Sequence, residues 1–394
     1  MSLFSRALSR LTGGESSARL DALERAVRKM GEAQRDHSVA VQAKVGEVAQ
    51  RVEEQPTAKD LREVRQALRS LTSQPDDRRL VETLEQIAAS GRPVLIGPWS
   101  GEVGFELLYW IPFVEWARTQ MNLAPEREVI VSRGGVASWY GRDAAQYDDA
   151  LSFFSPEEFR AATAEERRKR RQPGAFDARI VEAVQQKRSL EQVDTLHPGL
   201  MYRAFAPFWS DEAGYARIDR FTRHRLFDPP PAAARPAGLP PEYVAVRFYF
   251  SECFPATAEN RALAQGVVAS LAAWTPVVLL NPGFTVDEHD DWAPETRDRI
   301  VTIADSLTPD RNLAVQSAVI SGARAFVGTY GGYSYLAPLY RVPSLAFYSR
   351  QSFKLHHLHV AQRVFERIGA ATLMPVDVAQ AALVQHALGS VVAA

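Results

Sequence analysis

The segment GPWSGEVGFELLYW, residues 97–110, carries two glutamates beside a tight glycine-rich turn. Glu102 lies on the turn itself, and Glu106 lies in the first turn of the helix that the pattern predicts. A carboxylate that follows a strand can point into a cleft and act as a general base, which we expect of Glu102. The helix dipole favours acidic residues at a helix start, and that effect alone explains Glu106. Backbone amides at the same helix start favour an anion.

A second glycine-rich loop follows a predicted strand in RAFVGTYGGYSYLAPLYRVPSLAFYS, residues 324–349. Its adjacent glycines leave several backbone amides free among hydroxyl side chains, which suits the binding of a diphosphate. The alternative is an ordinary strand-to-helix turn in which glycine satisfies the backbone angles. Ligand contact is predicted for Thr329, Tyr330, Gly331, Gly332 and Ser334.

Arg247 interrupts an otherwise apolar strand in VRFYFSECFP, residues 246–255. An unpaired charge is costly to bury, so Arg247 should lie near the strand end and meet an anion such as a phosphate. A salt bridge inside the core explains it equally well. Asn281 ends the next predicted strand by the same geometry, and His289 follows it. His289 could bind a sugar or transfer a proton, or it could be a structural or solvated histidine.

Several patterns that mark other chemistries are absent from the sequence. There is no Asp-x-Asp pair, HExxH, Gly-x-Ser-x-Gly elbow, Walker loop or dinucleotide fingerprint. His356 and His359 could share a helix face, but no nearby acidic residue completes a site, so no metal is predicted. With Cys253 as the only cysteine, an intrachain disulfide and a cysteine-rich zinc site are excluded, and reducing surroundings are expected. The net charge of −1 gives no whole-chain attraction to nucleic acid.

Strands and helices alternate after residue 93, which predicts two α/β units. In the first unit, VLIGPW and EVIVS read as strands, with a helix near 105–120 between them. Helices are also expected at 177–190 and, in the second unit, near 258–273, 311–322, 332–340 and 352–368. The predicted strands of the second unit are residues 243–250, 276–281, 299–304, 324–329 and 343–348. Apolar strands linked by helices indicate parallel sheets that are buried on both faces.

Proline density divides the chain. DPPPAAARPAGLPP is too rich in proline for a helix or a central strand, so residues 229–241 are predicted to be a linker. The resulting Rossmann-like domains, residues 91–228 and 242–394, would face each other across a cleft, where sheets of this kind place ligands. The basic run EERRKRR at 165–171 reads as a solvated helix end or as a patch for an anionic partner.

Residues 1–90 differ from the rest of the chain. Leucine and valine recur in them at the 3–4 spacing of a coiled-coil seam, interrupted near Pro56. We predict an α-helical stalk that makes homo-oligomers or tethers the protein, the alternative being a solvated helix that lies on the globular body. The start, MSLFSRALSRL, is basic and amphipathic, so it is either a frayed end or a weak contact for an anionic membrane surface.

These ordered segments resemble the GT-B glycosyltransferases of the heptosyltransferase type over roughly residues 93–394. SGEVGFELLYWIPF resembles the acidic glycine loop of that family, with Glu102 at the position of the acceptor base. VGTYGGYSYLAPLYRVPSLAFYS is similar to its donor-phosphate loop and helix, with Tyr335 where the family has histidine. Arg247 resembles its phosphate-binding basic residue.

The resemblance implies a metal-independent transferase that moves a sugar from a nucleotide-sugar substrate to a cell-envelope glycan or glycolipid, inverting the anomeric centre, without a further cofactor. It implies a cytoplasmic protein that could contact the inner face of the membrane. Donor contacts are expected from Arg247, Asn281, His289, Thr329, Tyr330, Gly331, Gly332 and Ser334. Acceptor contacts are expected from Trp99, Gly101, Gly104 and Glu106. A sugar-nucleotide epimerase and a non-catalytic scaffold or glycan-binding module are the alternatives.

Overall fold

Two parallel β-sheets, each flanked by helices, organise the part of the chain that the structure describes. The structure is a computed structural model, and it describes residues 77–166, 172–211, 213–284, 290–292, 298–351 and 355–380. Both sheets belong to one compact unit, Pro75–Asp377. The predicted α/β architecture with two Rossmann-like sheets is therefore confirmed.

The first sheet has four parallel strands in the order β3-β2-β1-β4. They are β1 (Val94–Ile96), β2 (Glu128–Ser132), β3 (Tyr147–Asp149) and β4 (Asp194–Leu196). The apolar residues of β1 are completely buried because helices cover both faces of the sheet.

Seven helices accompany this sheet in the described ranges. They are α1 (residues 77–90), α2 (Val103–Phe105), α3 (Ile111–Met121), α4 (Pro156–Glu166), α5 (Ala175–Arg188), α6 (Pro198–Trp209) and α7 (Ala216–Arg220). A π-helical turn, Glu106–Trp110, joins α2 to α3. Such turns occur often at functional sites.

The order of the strands creates a switch point beside β1. The chain leaves β1 for β2 and β3 on one side and then returns to β4 on the other side. The connections that leave β1 and enter β4 therefore diverge, which opens a crevice at the carboxyl ends of these two strands. A ligand site is expected there.

The second sheet is larger, with six parallel strands in the order β12-β11-β10-β5-β7-β9. The strands of this sheet are β5 (Val244–Arg247), β7 (Val277–Leu279), β9 (Ile300–Thr302), β10 (Ala325–Thr329), β11 (Ser344–Tyr348) and β12 (Leu373–Asp377). Its helices are α8 (Ala258–Trp274), α9 (Asn312–Ser321), α10 (Gly332–Leu339) and α11 (Leu355–Ile368). A separate antiparallel ribbon pairs β6 (Tyr249–Phe250) with β8 (Asp290–Asp291). Within the described ranges, no helix is long and apolar enough to cross a membrane.

Helix α1 packs against the α/β body, although its sequence belongs to the predicted stalk. Leu80, Leu84 and Ile87 lie on one helical face and are 6% exposed or less. Asp77 forms ion pairs with Arg217 and with a second arginine of α7. The remainder of the predicted stalk, residues 1–76, lies outside the described residues.

The two sheets define two lobes that touch directly. The first lobe comprises β1–β4 with α2–α7, and the second comprises β5–β12 with α8–α11. Residues 229–241 connect them and include a 3-10 turn, Ala232–Ala234. The backbone N–H of Ala314 donates to the carbonyl of Gly134 at 2.8 Å across this boundary. The indole of Trp139 donates to the Ser317 hydroxyl at 3.0 Å.

Candidate functional site

A cavity of about 650 Å³ lies at the switch point of the first sheet. Residues 98–101, which follow β1, form one wall, and the start of α6 with Tyr202 forms another. Ala162 and Thr163 of α4, residues 172–177 at the start of α5, and Arg179 complete the lining. The volume suits a ligand of one or two sugar rings in size, within the usual range for ligand pockets.

The loop after β1 is shaped by glycine and tryptophan. Gly97 has a φ of 124°, and a Cβ atom there would lie 2.3 Å from the carbonyl oxygen of Val131. The ring of Trp99 stacks with those of Trp110 and Tyr202, at centroid distances of 6.0 and 6.3 Å. The cavity therefore has an aromatic wall that is held rigidly, because Trp99 is only 1% exposed.

A histidine–aspartate pair, which the sequence analysis did not single out, joins the two helix starts at the cavity. The backbone N–H of Gly199 donates to Nδ1 of His197 at 2.9 Å, so Nε2 carries the hydrogen and donates to Asp177 at 3.0 Å. The same carboxylate accepts from the backbone N–H of Gly174 at 2.8 Å. Both ring nitrogens are thus used to hold α5 and α6 in place, and His197 is a positioning residue.

Glu102 is exposed and directly follows Gly101, which lines the cavity. It precedes α2 without capping it through its side chain, although its carbonyl accepts from the N–H of Glu106 at 3.1 Å. Glu102 itself is not among the residues that line the cavity. Its catalytic role stays a prediction.

Glu106, by contrast, is completely buried. One carboxylate oxygen accepts from the hydroxyls of Ser132 and Tyr140, both at 2.6 Å, and the other has no partner among the described residues. Burial raises the pKa of Glu106 to about 7, and its hydrogen bonds and Arg133 oppose that rise. Glu106 is not among the residues that line the cavity, and a direct acceptor contact by its side chain stays a prediction.

The predicted donor residues of the second lobe meet at the carboxyl edge of its sheet. Arg247, 6% exposed, forms an ion pair with Asp291 at 3.2 Å and lies over the ring of Tyr333 at 4.2 Å. The side-chain amide of Asn281 donates to the Phe248 carbonyl at 3.0 Å and to Asp291 at 3.3 Å. The salt bridge that the sequence left open is present, and binding of a phosphate by Arg247 stays a prediction.

The hydroxyls of the second glycine loop are bonded within the lobe. Thr329 donates to the carbonyl of Tyr249 at 2.8 Å and accepts from its N–H at 3.0 Å. Ser334 donates to the carbonyl of Gly331 at 2.7 Å and accepts from its N–H at 3.1 Å. The hydroxyl of Tyr330 bonds that of Tyr335. His289 lies outside the described residues.

This loop presses against the first lobe at α2. A Cβ atom on Gly332 would lie 2.8 Å from the Cβ of Val103, and one on Gly104 would lie 3.4 Å from the ring of Tyr335. The structure therefore brings the predicted acceptor loop and the predicted donor loop into direct contact. Gly104 faces the second lobe in this arrangement, whereas Trp99 and Gly101 line the cavity.

Arg133 is a further residue at this edge that the sequence analysis missed. It follows β2 directly, is 5% exposed, and donates from Nη2 to the carbonyl of Gly101 at 2.8 Å. The signal was present in EVIVSRGG, where a charge ends an apolar strand just as Arg247 does. In the described ranges, no group of three or more histidine, cysteine or acidic side chains could hold a metal ion.

The chain matches no protein-family model and no curated protein sequence. Among solved structures it is similar to the bacterial iron-containing dodecameric glycosyltransferase TibC from enterotoxigenic E. coli, with 14% identity and a TM-score of 0.35, over 65% of this chain and 60% of that chain. It is also similar to E. coli heptosyltransferase WaaC with ADP, with 15% identity and a TM-score of 0.36, over 72% of this chain and 92% of that one. The chain thus spans less than two thirds of TibC. Likenesses at this level assign no activity.

Proposed function

We propose that this protein is a glycosyltransferase that moves a sugar from a nucleotide-sugar donor to a hydroxyl of a cell-envelope glycan or glycolipid. The observation that carries the proposal is the aromatic-walled cavity of about 650 Å³ at the switch point of the first sheet, whose lining residue Gly101 is followed directly by the exposed Glu102. Aromatic rings suit the apolar faces of sugars, and a carboxylate beside such a wall can accept a hydroxyl proton.

The acceptor would occupy the cavity against the half-buried Tyr202, whose ring stacks on the buried Trp99. Glu102 would take the proton from the acceptor hydroxyl while the oxygen of that hydroxyl attacks the anomeric carbon of the donor. The bond from that carbon to the nucleoside diphosphate breaks with the electron pair on the departing oxygen, and the anomeric configuration inverts. His197 does not take part in this proton transfer, because its two ring nitrogens are bonded to Asp177 and to the N–H of Gly199.

The donor would lie at the carboxyl edge of the second sheet. A diphosphate there would replace Asp291 as the partner of Arg247 and would use backbone amides of the 329–334 loop in place of a metal ion. Because Gly332 touches α2, we expect α2 and α10 to separate when the donor enters. Assembly into oligomers through residues 1–76 and a cytoplasmic location belong to the same proposal.

The test begins with thermal unfolding of the full-length protein against a panel of sugar nucleotides without added metal, because a ligand of the native state raises the melting temperature. With the donor so found, Glu102→Gln should lose about 100-fold or more in transfer rate and keep the same donor affinity. Glu126→Gln, at another exposed glutamate, is the matched control and should keep full activity.

Each other outcome points elsewhere. Loss of donor affinity together with activity in Glu102→Gln would make Glu102 structural. Conversion of the donor without any acceptor would indicate an epimerase. No response to any nucleotide would favour the non-catalytic scaffold.

A further inference from the structure

Arg133 carries a buried charge that no carboxylate neutralises directly. Among the described residues, three arginines are less than 9% exposed: Arg118, Arg133 and Arg247. Arg118 bonds the carboxylate of Glu128 at 2.7 Å, and Arg247 bonds Asp291 at 3.2 Å. Arg133 makes one hydrogen bond to a described residue, from Nη2 to the carbonyl of Gly101, and its buried Nε has no partner among them.

Such an arrangement is costly unless something else compensates the charge. The guanidinium stays protonated in proteins and carries five N–H donors in a planar fork. Removing an ion from water costs several kcal/mol when no counter-charge is bonded to it. The protein therefore holds a cation with spare donors at the carboxyl end of β2.

The closest candidate for a counter-charge does not bond to Arg133. Glu106 attracts Arg133 through space, yet the two form no ion pair. One oxygen of Glu106 is occupied by Ser132 and Tyr140, and the other is buried without a partner among the described residues. The guanidinium and the carboxylate thus both keep an unused polar atom.

The surroundings of Arg133 favour an anion. Its partner Gly101 lines the cavity, and the indole nitrogen of Trp99 in the same loop is another buried donor without a partner among the described residues. Asp177 is the acidic residue of the lining, and its Oδ2 accepts from both His197 and the N–H of Gly174. The starts of α5 and α6, helices of 14 and 12 residues, add partial positive charge to the same cavity.

We propose that Arg133 binds an anionic group, a phosphate or a carboxylate, of a substrate at the loop that follows β1. The planar fork suits either group, because each presents paired oxygens to two N–H donors. On the proposed transferase function, the anion is a substituent of the acceptor in the cavity or the diphosphate of the donor. The two sources share one chemistry and differ in the molecule that carries it.

Binding measurements on the full-length protein test the site without any transfer reaction. The ligands are glucose 6-phosphate and glucuronate with glucose as the neutral control, UDP with uridine as the neutral control, and inorganic phosphate. We expect at least one anion, and neither neutral control, to raise the melting temperature of the wild type. Arg133→Met should weaken the affinity for that anion by about tenfold or more, in line with the loss of hydrogen bonds to a charged group.

The pattern of losses identifies the source. If the sugar anions raise the melting temperature, and Arg133→Met abolishes that rise without changing the response to UDP, the anion belongs to the acceptor. If UDP raises the melting temperature of the wild type, Arg133→Met abolishes that rise and the sugar anions have no effect, the anion belongs to the donor. Equal anion affinities in wild type and Arg133→Met overturn the proposal.

The unliganded stability separates this role from a structural one. If Arg133 is kept for a ligand, Arg133→Met should keep or raise the melting temperature of the unliganded protein, because an apolar side chain removes an uncompensated charge. Arg118→Met is the matched control and should lower it, since Arg118 is bonded to Glu128. If Arg133→Met lowers the melting temperature as much as Arg118→Met does and leaves the anion affinity intact, Arg133 is a structural residue.

A crystal structure of the wild type soaked in glucose 6-phosphate decides the matter if Arg133→Met does not fold. A phosphate oxygen within hydrogen-bond distance of Arg133 supports the proposal. An ordered water that bridges Nε of Arg133 to Glu106, with no anion bound, overturns it. Anion binding that persists while every nucleotide response is absent would instead remove the transferase function and leave this site standing.

Discussion

Two of the buried carboxylates that the structure describes in the first lobe bond arginine or lysine, whereas Glu106 bonds neither. Glu128 bonds Arg118 and Arg142, and Asp148 bonds two basic residues of α5. Glu106 accepts only neutral hydroxyls, so burial dominates and raises its pKa to about 7. At the residue scale, folding therefore favours the protonated form of Glu106, and burial likewise raises the pKa of Asp149 to about 7.

The carboxyl group of Glu106 makes the free energy of unfolding depend on pH. Because the pKa of Glu106 rises from 4.5 to about 7 on folding, its contribution is fully present below pH 4.5 and is lost as the pH rises through about 7. Glu106→Gln removes the titration, so the free energy of unfolding of the variant relative to wild type should rise by about 3 kcal/mol between pH 4 and pH 8.

Chemical denaturation of both proteins across this pH range measures the difference. Glu126→Gln, at an exposed position, should differ from wild type by a constant amount at every pH. A difference for Glu106→Gln that does not change with pH would mean that burial does not shift this group.

The close approach of α2 and α10 is the contact that joins the two lobes at the candidate site. Gly332 begins α10, and a Cβ there would lie 2.8 Å from the Cβ of Val103 and 2.9 Å from the backbone nitrogen of Gly104. Since neither atom is the end of a flexible side chain, one helix must move to accommodate a larger residue. At the element scale, packing between the lobes explains why residue 332 is glycine, whether or not Gly332 also binds a phosphate.

Gly332→Ala should therefore destabilise the protein by about 1–3 kcal/mol through overpacking. Gly266 in α8 is the matched control, because a Cβ there meets nothing within 4 Å. Gly266→Ala should stabilise the protein by about 0.5–1 kcal/mol, the usual gain for alanine over glycine inside a helix. Thermal and urea unfolding measure both, and equal effects in the two variants would contradict the packing argument.

At the scale of the whole molecule, the globular body begins earlier in the chain than the sequence pattern suggested. Helix α1 buries Leu80, Leu84 and Ile87 and ties Asp77 to Arg217, although the same residues continue the apolar spacing of the predicted stalk. Coiled-coil spacing and the spacing of a helix that packs on a body are locally alike. The stalk interpretation applies without conflict only to residues 1–76, which lie outside the described residues.

Two truncations distinguish these segments. A chain of residues 77–394 should keep the melting temperature of the full-length protein, with a smaller mass in solution if residues 1–76 make oligomers. A chain of residues 91–394 should lose on the order of 5 kcal/mol, because three buried aliphatic side chains lose their partner surface. Light scattering and thermal unfolding measure both properties, and equal stability of the two truncations would show that α1 is dispensable.

The parallel sheets and the positions of strand-end side chains could be predicted from the sequence. Apolar runs such as VLI and VAV need helices on both faces, and the residue after each run must lie at a sheet edge. This reasoning placed Glu102, Arg247 and Thr329 correctly at carboxyl ends or the loops that follow them. The strand EVIVS carries the same signal for Arg133, but that this arginine meets a carbonyl and no carboxylate is a property of the folded chain.

The sequence by itself determined the two α/β halves, because the length and polarity of an apolar run are local properties. Only the tertiary structure decided which edge residues are paired, since their partners come from distant segments. Arg247 meets Asp291 across 44 residues, whereas Arg133 reaches only a carbonyl, that of Gly101, across 32 residues. The cavity is likewise a property of the folded chain, because it exists only where the return to β4 opens a crevice beside β1.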